Sequence, residues 1–289
     1  MNPLVKAIAT CPRCHGALDW PADGSGPVCQ ACGRRYHRVQ GVPLLRLDAA
    51  GEPLAPTPPA AAGSTGWRRA LSRRTTPPDV AYKTVASRER IPRFVAGLGP
   101  EVVSLNLGSG RTNFGPRVVN LDIGPFPHVD VVAGGERLPL RDACLDGVIT
   151  QGVLEHVPEL PATLAEIDRV LRPGGQVYHE VPFVQGYHGS PGDFRRFTIQ
   201  GLQELVPGYR VLDQGVAVGP SSALMWIASE WLALLFSLGN DRLHRIGRRL
   251  FAWLLSPLKQ ADAWLERHPR ADLVASAFYV VACKPEGEP

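Results

Sequence analysis

Six cysteines in 289 residues are too few and too unevenly placed for a disulfide scaffold. Long apolar runs are missing too: none reaches, uninterrupted, the roughly 20 residues that a spanning helix needs. The opening residues, Met-Asn-Pro-Leu-Val-Lys, lack the basic, apolar and small-residue regions of a signal peptide. These absences lead to the expectation of a cytoplasmic protein, with a peripheral position on the inner face of the cell membrane left open. Charge of one sign is also scarce. A net charge of +4 carries no argument for nucleic-acid binding, and nucleic acid ranks low among partners. What is present, 44% hydrophobic and 20% charged residues, fits a globular chain with room for one large domain and a small one.

Four of the cysteines fall in two knuckles, Cys11-Pro-Arg-Cys14 and Cys29-Gln-Ala-Cys32, with fourteen residues between them. Each C-x2-C turn aims two thiolates at one point, and two such turns close a tetrahedral structural zinc site. So small a module cannot bury enough core to fold alone, and the metal supplies much of its folding energy. Free cysteines in this spacing point to a reducing compartment.

Composition then shifts. Residues 48–79 are rich in Pro, Ala, Gly, Ser and Thr and read as a semi-extended linker between a ribbon (1–47) and a larger domain (80–289). Within the linker, Trp67-Arg-Arg-Ala-Leu-Ser-Arg-Arg74 is basic with two apolar anchors. Helix is expected over 80–98, interrupted at Pro92. Strands are expected over 102–107, 118–123, 129–133, 146–150, 175–181, 209–218 and 275–283. A helix over 161–171 stops at Arg172-Pro-Gly-Gly175, read as a turn that no strand continues through. The expected fold class is α/β: a seven-stranded sheet with helices on both faces, preceded by the zinc ribbon and carrying a helical insertion (219–273) before the last strand.

The organising stretch is Leu105-Asn-Leu-Gly-Ser-Gly110, an apolar run ending in glycines that let a ligand approach the backbone. It is followed in order by Val119-Asn-Leu-Asp122, Glu136-Arg-Leu-Pro-Leu140, Leu145-Asp-Gly-Val-Ile149, Val153-Leu-Glu-His-Val157 and Leu171-Arg-Pro-Gly-Gly175. This series resembles the S-adenosylmethionine-dependent methyltransferases of the Rossmann-like, seven-stranded class. The resemblance implies a cofactor site made by Asn106, Gly108, Ser109, Gly110, Asp122, Ile123, Glu136, Arg137, Leu138, Gln151 and Gly152. Asp122 would accept the ribose hydroxyls, the glycine loop would face the methionine moiety, and 136–138 would lie against adenine. Two departures stand out. The family's acidic residue in the first motif is Asn106 here, and Gly110 is joined to Val118 by a link too short for a full helix. Residues 4–47, with Cys-Pro-x-Cys-x-Gly-x-Leu and Cys-Gly-Arg-Arg-Tyr-His, resemble small zinc-ribbon proteins that occur alone or fused to methyltransferases. That likeness implies an accessory module without catalytic zinc.

After the fifth strand, His188-Gly-Ser-Pro-Gly-Asp193-Phe-Arg-Arg196-Phe-Thr198 forms a polar, aromatic loop at the substrate edge. It is similar to a string in methyltransferases of glycan and envelope biosynthesis. His188 or Asp193 could serve as the base for a hydroxyl acceptor, and Arg196 could hold an anionic group on it; a structural Asp193–Arg pair is the alternative. The acceptor is expected to be a glycan, glycolipid or small molecule. In the insertion, Ala223 to Leu238 is apolar nearly all round, and in 242–258 apolar and arginine residues take opposite faces. Membrane-surface contact through 219–258 and a homodimer-forming or sheet-covering cap are both open readings.

Overall fold

A computed structural model describes residues 2–48, 51–53, 83–189 and 191–286. Most of the expected linker, including the basic segment 67–74, lies outside the described residues.

The chain begins with helix α1 (Pro3–Ile8), whose N-cap Asn2 accepts from the Leu4 N–H. Two short antiparallel strands follow, β1 (Leu18–Asp19) and β2 (Val28–Cys29), and then the hairpin β3 (His37–Val39) and β4 (Val42–Leu44). Helix α2 (Val85–Leu98) leads into β5 (Ser104–Leu107), β6 (Val118–Asp122), β7 (Val131–Val132) and β8 (Leu145–Gln151). Helix α3 (Leu160–Val170), β9 (Leu171–Pro182), α4 (Ile199–Gln203) and β10 (Arg210–Val218) come next. The insertion contributes α5 (Pro220–Ser237), α6 (Asp241–Leu255) and α7 (Asp262–Leu265) before the last strand, β11 (Ala277–Cys283).

All seven strands expected of the large domain form, in the order β10-β11-β9-β8-β5-β6-β7. Strands β5 to β9 pair in parallel, and β11 enters antiparallel between β9 and β10. Every residue of β5 and β6 is buried, as in a parallel sheet covered on both faces. Side chains alternate across it. Leu105, Leu107 and Val148 join the cluster that holds Ile167 and Val170 of α3, while Ile149, Tyr178 and Tyr279 pack with Ile91 and Phe94 of α2. No helix forms between β5 and β6, in keeping with the short link.

Two local expectations fail. Helix α2 runs through Pro92 without a break: the proline forfeits one backbone bond, but Thr84 caps the helix and burial of Ile91 and Phe94 on either side holds it. Residues 172–175 do not end an element either. Strand β9 starts at Leu171, opposite Leu145, and its next pairing is Gln176 with Gly147, so the Pro-Gly-Gly residues loop out within the strand.

Tertiary pairing extends the sheet to nine strands. Hairpin strand β4 lies parallel to β7, with Leu44 opposite Val132 and the Leu45 N–H bonded to the Val132 carbonyl at 2.9 Å. The chain before the first knuckle pairs with the segment after β7: Thr10 N–H donates to the Pro139 carbonyl at 2.8 Å and Arg141 N–H to that of Ile8 at 3.0 Å. Val5, Ile8, Cys11, Cys29, Tyr36 and Leu45 belong to the same buried cluster as Leu105, Leu121 and Leu138. The ribbon thus closes the edge that β7 would otherwise expose.

The insertion is pinned at its start. Asp262, fully buried, accepts the Ser221 and Ser222 N–H groups at 2.7 and 2.9 Å and the Ser222 hydroxyl at 2.7 Å, an anion at the positive end of α5. Helix α5 faces inward with small residues, Ser222, Ala223, Ser229 and Ala233, plus Met225. Its large apolar side chains point out: Leu224, Trp231, Leu234 and Phe236 are each about 60% exposed. Helix α6 fully buries only Ala252. Among the described residues, no helix is long and apolar enough to cross a membrane.

Candidate active site

The glycine loop leaves β5 at the carboxyl edge of the sheet. Gly108 (φ +68°) and Gly110 (φ +54°) both adopt left-handed backbone that L side chains resist. A Cβ on Gly108 would lie 2.4 Å from a Val153 methyl, whereas one on Gly110 would meet nothing within 4 Å. Gly108 closes the loop on its own protein and Gly110 opens it outward. The loop is tied to β6: Gly108 and Ser109 N–H groups both bond the Leu121 carbonyl, at 2.8 and 3.1 Å. Asp122, at the end of β6, accepts the Gly110 N–H on one carboxylate oxygen (2.8 Å) and the Gly124 N–H on the other (3.0 Å). Each oxygen keeps further lone-pair capacity. The buried Ser109 hydroxyl has no partner among the described residues.

Asn106 faces the opposite side of the sheet from Leu105. Its amide nitrogen donates to the Asn120 side chain at 3.0 Å and to the Thr112 carbonyl at 3.4 Å, which turns its carbonyl oxygen away from both. Ile123, next to Asp122, is 45% exposed and offers an apolar surface at the strand end. On the far side of this edge Glu136 is half-buried, Arg137 exposed and Leu138 fully buried in the core. Helix α3 holds this segment by its main chain. Arg169 donates to the Leu138 and Leu140 carbonyls at 2.9 and 2.8 Å, and Glu166 accepts the Leu138 N–H at 2.7 Å. Glu166 and Arg169 also pair with each other, and Asp142 with Arg169 at 2.6 Å. Asp146 serves the strands, accepting Val103 N–H at 2.8 Å and pairing with Arg172.

At the end of β8, Gln151 donates to Glu180 at 3.0 Å and Gly152 N–H bonds the Glu180 carbonyl at 2.9 Å. Glu180 is buried and also takes Lys83 at 2.7 Å and the Tyr178 hydroxyl at 2.9 Å. Burial, and next the charge of Glu180, hold the Tyr178 phenol well above its usual range. One register position along, Thr150 and His179 are both fully buried and bonded at 2.8 Å. Burial pushes the His179 imidazole down to about 4, so it is neutral.

The loop after β9 brings His188, Asp193 and Arg196 together. Arg196 forks onto Asp193, whose second oxygen also accepts the His188 N–H at 2.8 Å. The guanidinium holds the Asp193 carboxyl below the usual carboxylate range. The His188 Nδ1 lies 3.0 Å from the Gly186 carbonyl and 3.3 Å from Arg196 Nη2. The Glu155 carboxylate beside it raises the imidazole's affinity for a proton. His188 packs between His156 and Trp226 of α5, with ring centroids 5.0 and 5.2 Å away. Arg195 instead binds the Val157 and Pro158 carbonyls.

The ribbon cysteines converge. The sulfurs of Cys11, Cys14, Cys29 and Cys32 all lie within 4.8 Å of one another, with Cys11–Cys32 at 3.8 Å and Cys14–Cys29 at 3.5 Å. A tetrahedron of thiolates about 2.3 Å from an ion has edges of about 3.8 Å. The Tyr36 hydroxyl lies 3.0 Å from the Cys11 sulfur and orients it. The residues fit a four-thiolate metal site.

Sequence reasoning missed Glu166, Arg169, Glu180, Lys83, Glu155 and His156 as contributors. The first pair carries a readable signal, an acid and an arginine three apart on the helix that follows the motif segment. The others meet only through sheet register and loop packing.

Residues 105–179 match the family described as a methyltransferase domain. Curated relatives include the ubiquinone/menaquinone biosynthesis C-methyltransferase UbiE of Acidiphilium cryptum (strain JF-5), 34% identical over 91 residues, 29% of this chain and 34% of that protein. Another is the malonyl-[acyl-carrier protein] O-methyltransferase of Serratia marcescens, 30% identical over 118 residues, 34% of this chain and 46% of that protein. The chain therefore spans less than half the length of either relative. Among solved structures, the 1,6-didemethyltoxoflavin-N1-methyltransferase of Burkholderia thailandensis, with 1,6-didemethyltoxoflavin and S-adenosylhomocysteine bound, is similar at 19% identity and a TM-score of 0.42, covering 70% of this chain and 79% of that one.

Proposed function

We propose, from the match of residues 105–179 to a methyltransferase domain, that the chain is an S-adenosylmethionine-dependent enzyme that methylates a hydroxyl of a glycan or lipid-linked envelope precursor. The single observation that carries the reading is the glycine loop closed over the Asp122 carboxylate at the carboxyl edge of the sheet. Two glycines, a buried unpartnered hydroxyl and a carboxylate with spare acceptor capacity meet there.

S-Adenosylmethionine supplies an electrophilic methyl group on a sulfonium. The protein's part is mostly positioning. Asp122 binds the ribose hydroxyls, backed by the Gly110 and Gly124 amides that fix its carboxylate. The Asn106 carbonyl oxygen, left over from its amide's bonds to Asn120 and Thr112, accepts from the methionine ammonium without adding charge. Ile123 and the 136–138 backbone, held by Glu166 and Arg169, border adenine. Gln151, the last residue of β8, and Gly152 after it would border the methyl group. Asp193 is committed to Arg196 and so positions the loop, and the acceptor hydroxyl is taken up on the His188 side. Zn2+ at Cys11, Cys14, Cys29 and Cys32 acts structurally, supporting the sheet edge beside the adenine segment.

A lipid-linked acceptor is supported by the exposed apolar face of α5, whose Trp226 reaches the His188 loop. In this reading 219–258 rests on an anionic membrane surface, with arginines of α6 at the headgroups. The same apolar face favours a small hydrophobic acceptor as the second reading.

Calorimetric titration of the zinc-loaded protein with S-adenosylhomocysteine tests the cofactor site. Micromolar binding that Asp122→Ala abolishes is expected; no binding would leave a scaffold with a degenerate site and overturn the proposal. Transfer of labelled methyl groups to envelope lipid extracts, quinones or RNA then separates the acceptor classes.

A further inference from the structure

The short helical turn after β8 carries Glu155 and His156, neither of which the cofactor site uses. Their side chains meet His188 at the mouth of the acceptor loop. The Nε2 atoms of His156 and His188 lie 3.7 and 3.8 Å from the same oxygen, Glu155 Oε1. The other ring nitrogens are occupied. His156 Nδ1 is 2.6 Å from the Gly192 carbonyl and His188 Nδ1 is 3.0 Å from the Gly186 carbonyl. The Gly192 carbonyl faces His156 Nδ1, and His188 Nδ1 is shared between the Gly186 carbonyl and Arg196 Nη2, so on both rings Nε2 is the nitrogen left facing the carboxylate. Backbone carbonyls on the far nitrogens are the usual means of fixing metal-ligating histidines in the required tautomer. Glu155 is buried to 1% exposure, and its second oxygen has no hydrogen-bond partner among the described residues. A buried carboxylate between two imidazole nitrogens calls for positive charge among them, which a bound cation supplies.

We propose that Glu155, His156 and His188 form a binding site for one divalent transition-metal ion, distinct from the four-cysteine ribbon. Two imidazoles and one carboxylate suit Mn2+, Fe2+ or Zn2+ better than Mg2+ or Ca2+, which prefer oxygen. Ligand atoms about 2.1 Å from an ion lie roughly 3.0–3.4 Å apart, so the present 3.7–3.8 Å separations need to contract by a few tenths of an ångström. Three protein ligands leave coordination positions open. The Glu155 oxygen lies 3.6 Å from where a Cβ on Gly152 would stand, at the end of β8. The open positions therefore belong to the acceptor side, where an acceptor oxygen becomes a further ligand. That last step rests on the methyltransferase reading; the metal site itself does not.

The test uses the full chain, stripped with chelator and reloaded with one equivalent of Zn2+ for the ribbon. Titration with Mn2+ and, separately, with a second equivalent of Zn2+ should show one further site. Electron spin-echo spectroscopy of the Mn2+ form should show coupling to two imidazole nitrogens. Glu155→Gln and His156→Gln should each weaken this site at least tenfold. They should leave the ribbon zinc in place, and S-adenosylhomocysteine titration of each variant reports that the domain is still folded. Lack of binding beyond the ribbon equivalent, or Mn2+ without nitrogen coupling, overturns the site, as does unchanged affinity in Glu155→Gln. A metal site in a protein that fails to bind S-adenosylhomocysteine would sink the methyltransferase reading alone. Cofactor binding without a second metal would sink this inference alone.

Discussion

The joint between ribbon and sheet makes a quantitative demand. Leu45 follows β4, is fully buried, and shares a cluster with Leu121 and Leu138. Its backbone N–H bonds Val132, so Leu45→Ala leaves the pairing intact and removes packing alone. Truncating a fully buried leucine costs about 2–5 kcal/mol, the transfer term plus the cavity left behind. In a chain of this size each kcal/mol lowers Tm by about 2–4 °C, so a loss near 3 kcal/mol corresponds to roughly 6–12 °C. Because Leu45 packs into the same core as β5 and β6, the whole protein should lose this stability in one transition. Calorimetry with the zinc-loaded protein measures it. Arg13→Ala, which removes only an exposed pair with Glu52, is the control and should shift stability by under about 1 kcal/mol. The reasoning fails if Leu45→Ala lowers a separate ribbon transition while the main transition keeps its Tm. It would also fail if the two parts melted independently in the unsubstituted protein.

Three further outcomes follow from the site. Gly108→Ala combines left-handed strain with a 2.4 Å clash against Val153, so it should lower Tm and abolish S-adenosylhomocysteine binding, while Gly110→Ala, strained but unhindered, should keep the fold within about 1–2 kcal/mol; equal Tm losses would contradict this loop geometry. His179 has a folded value near 4 against 6.5, so the unfolded chain binds the extra proton between those limits, and stability is full above pH 6.5 and falls by about 3 kcal/mol as pH drops to 4. Denaturant unfolding across that range should show the slope and His179→Gln should flatten it; an unchanged slope would place the titration elsewhere. Asp193→Ala strands the Arg196 guanidinium, so it should lower Tm and raise KM for the acceptor with cofactor affinity unchanged; Arg196→Lys, which loses the fork but keeps the charge, should show a smaller rise.

Much of the fold is legible because its signals are local. Apolar runs as short as β5 and β6, each closed by glycine or acid, place the central strands, and the stripe of Ile167 and Val170 places α3. The two knuckles likewise declare that four sulfurs meet before any tertiary fact is known. The errors at Pro92 and at 172–175 are local rules overruled by burial and by strand pairing on either side. In the candidate site, the glycine loop and Asp122 lie twelve residues apart and bond each other, within reach of a motif.

Long-range partners are another matter. Nothing in residues 42–44 announces that they will continue the sheet beyond β7, because an edge strand pairs through its backbone, which carries no residue code. Glu155 and His156 read as part of a motif, and His188 as part of a loop; only the packing of that loop beneath Trp226 turns three side chains toward one point. The apolar insertion could equally be a buried helix or a surface one by sequence, since all its faces are apolar. Tertiary structure decided it by seating the small residues of α5 inward, where close approach favours Ala and Ser, and leaving Trp231, Leu234 and Phe236 outside.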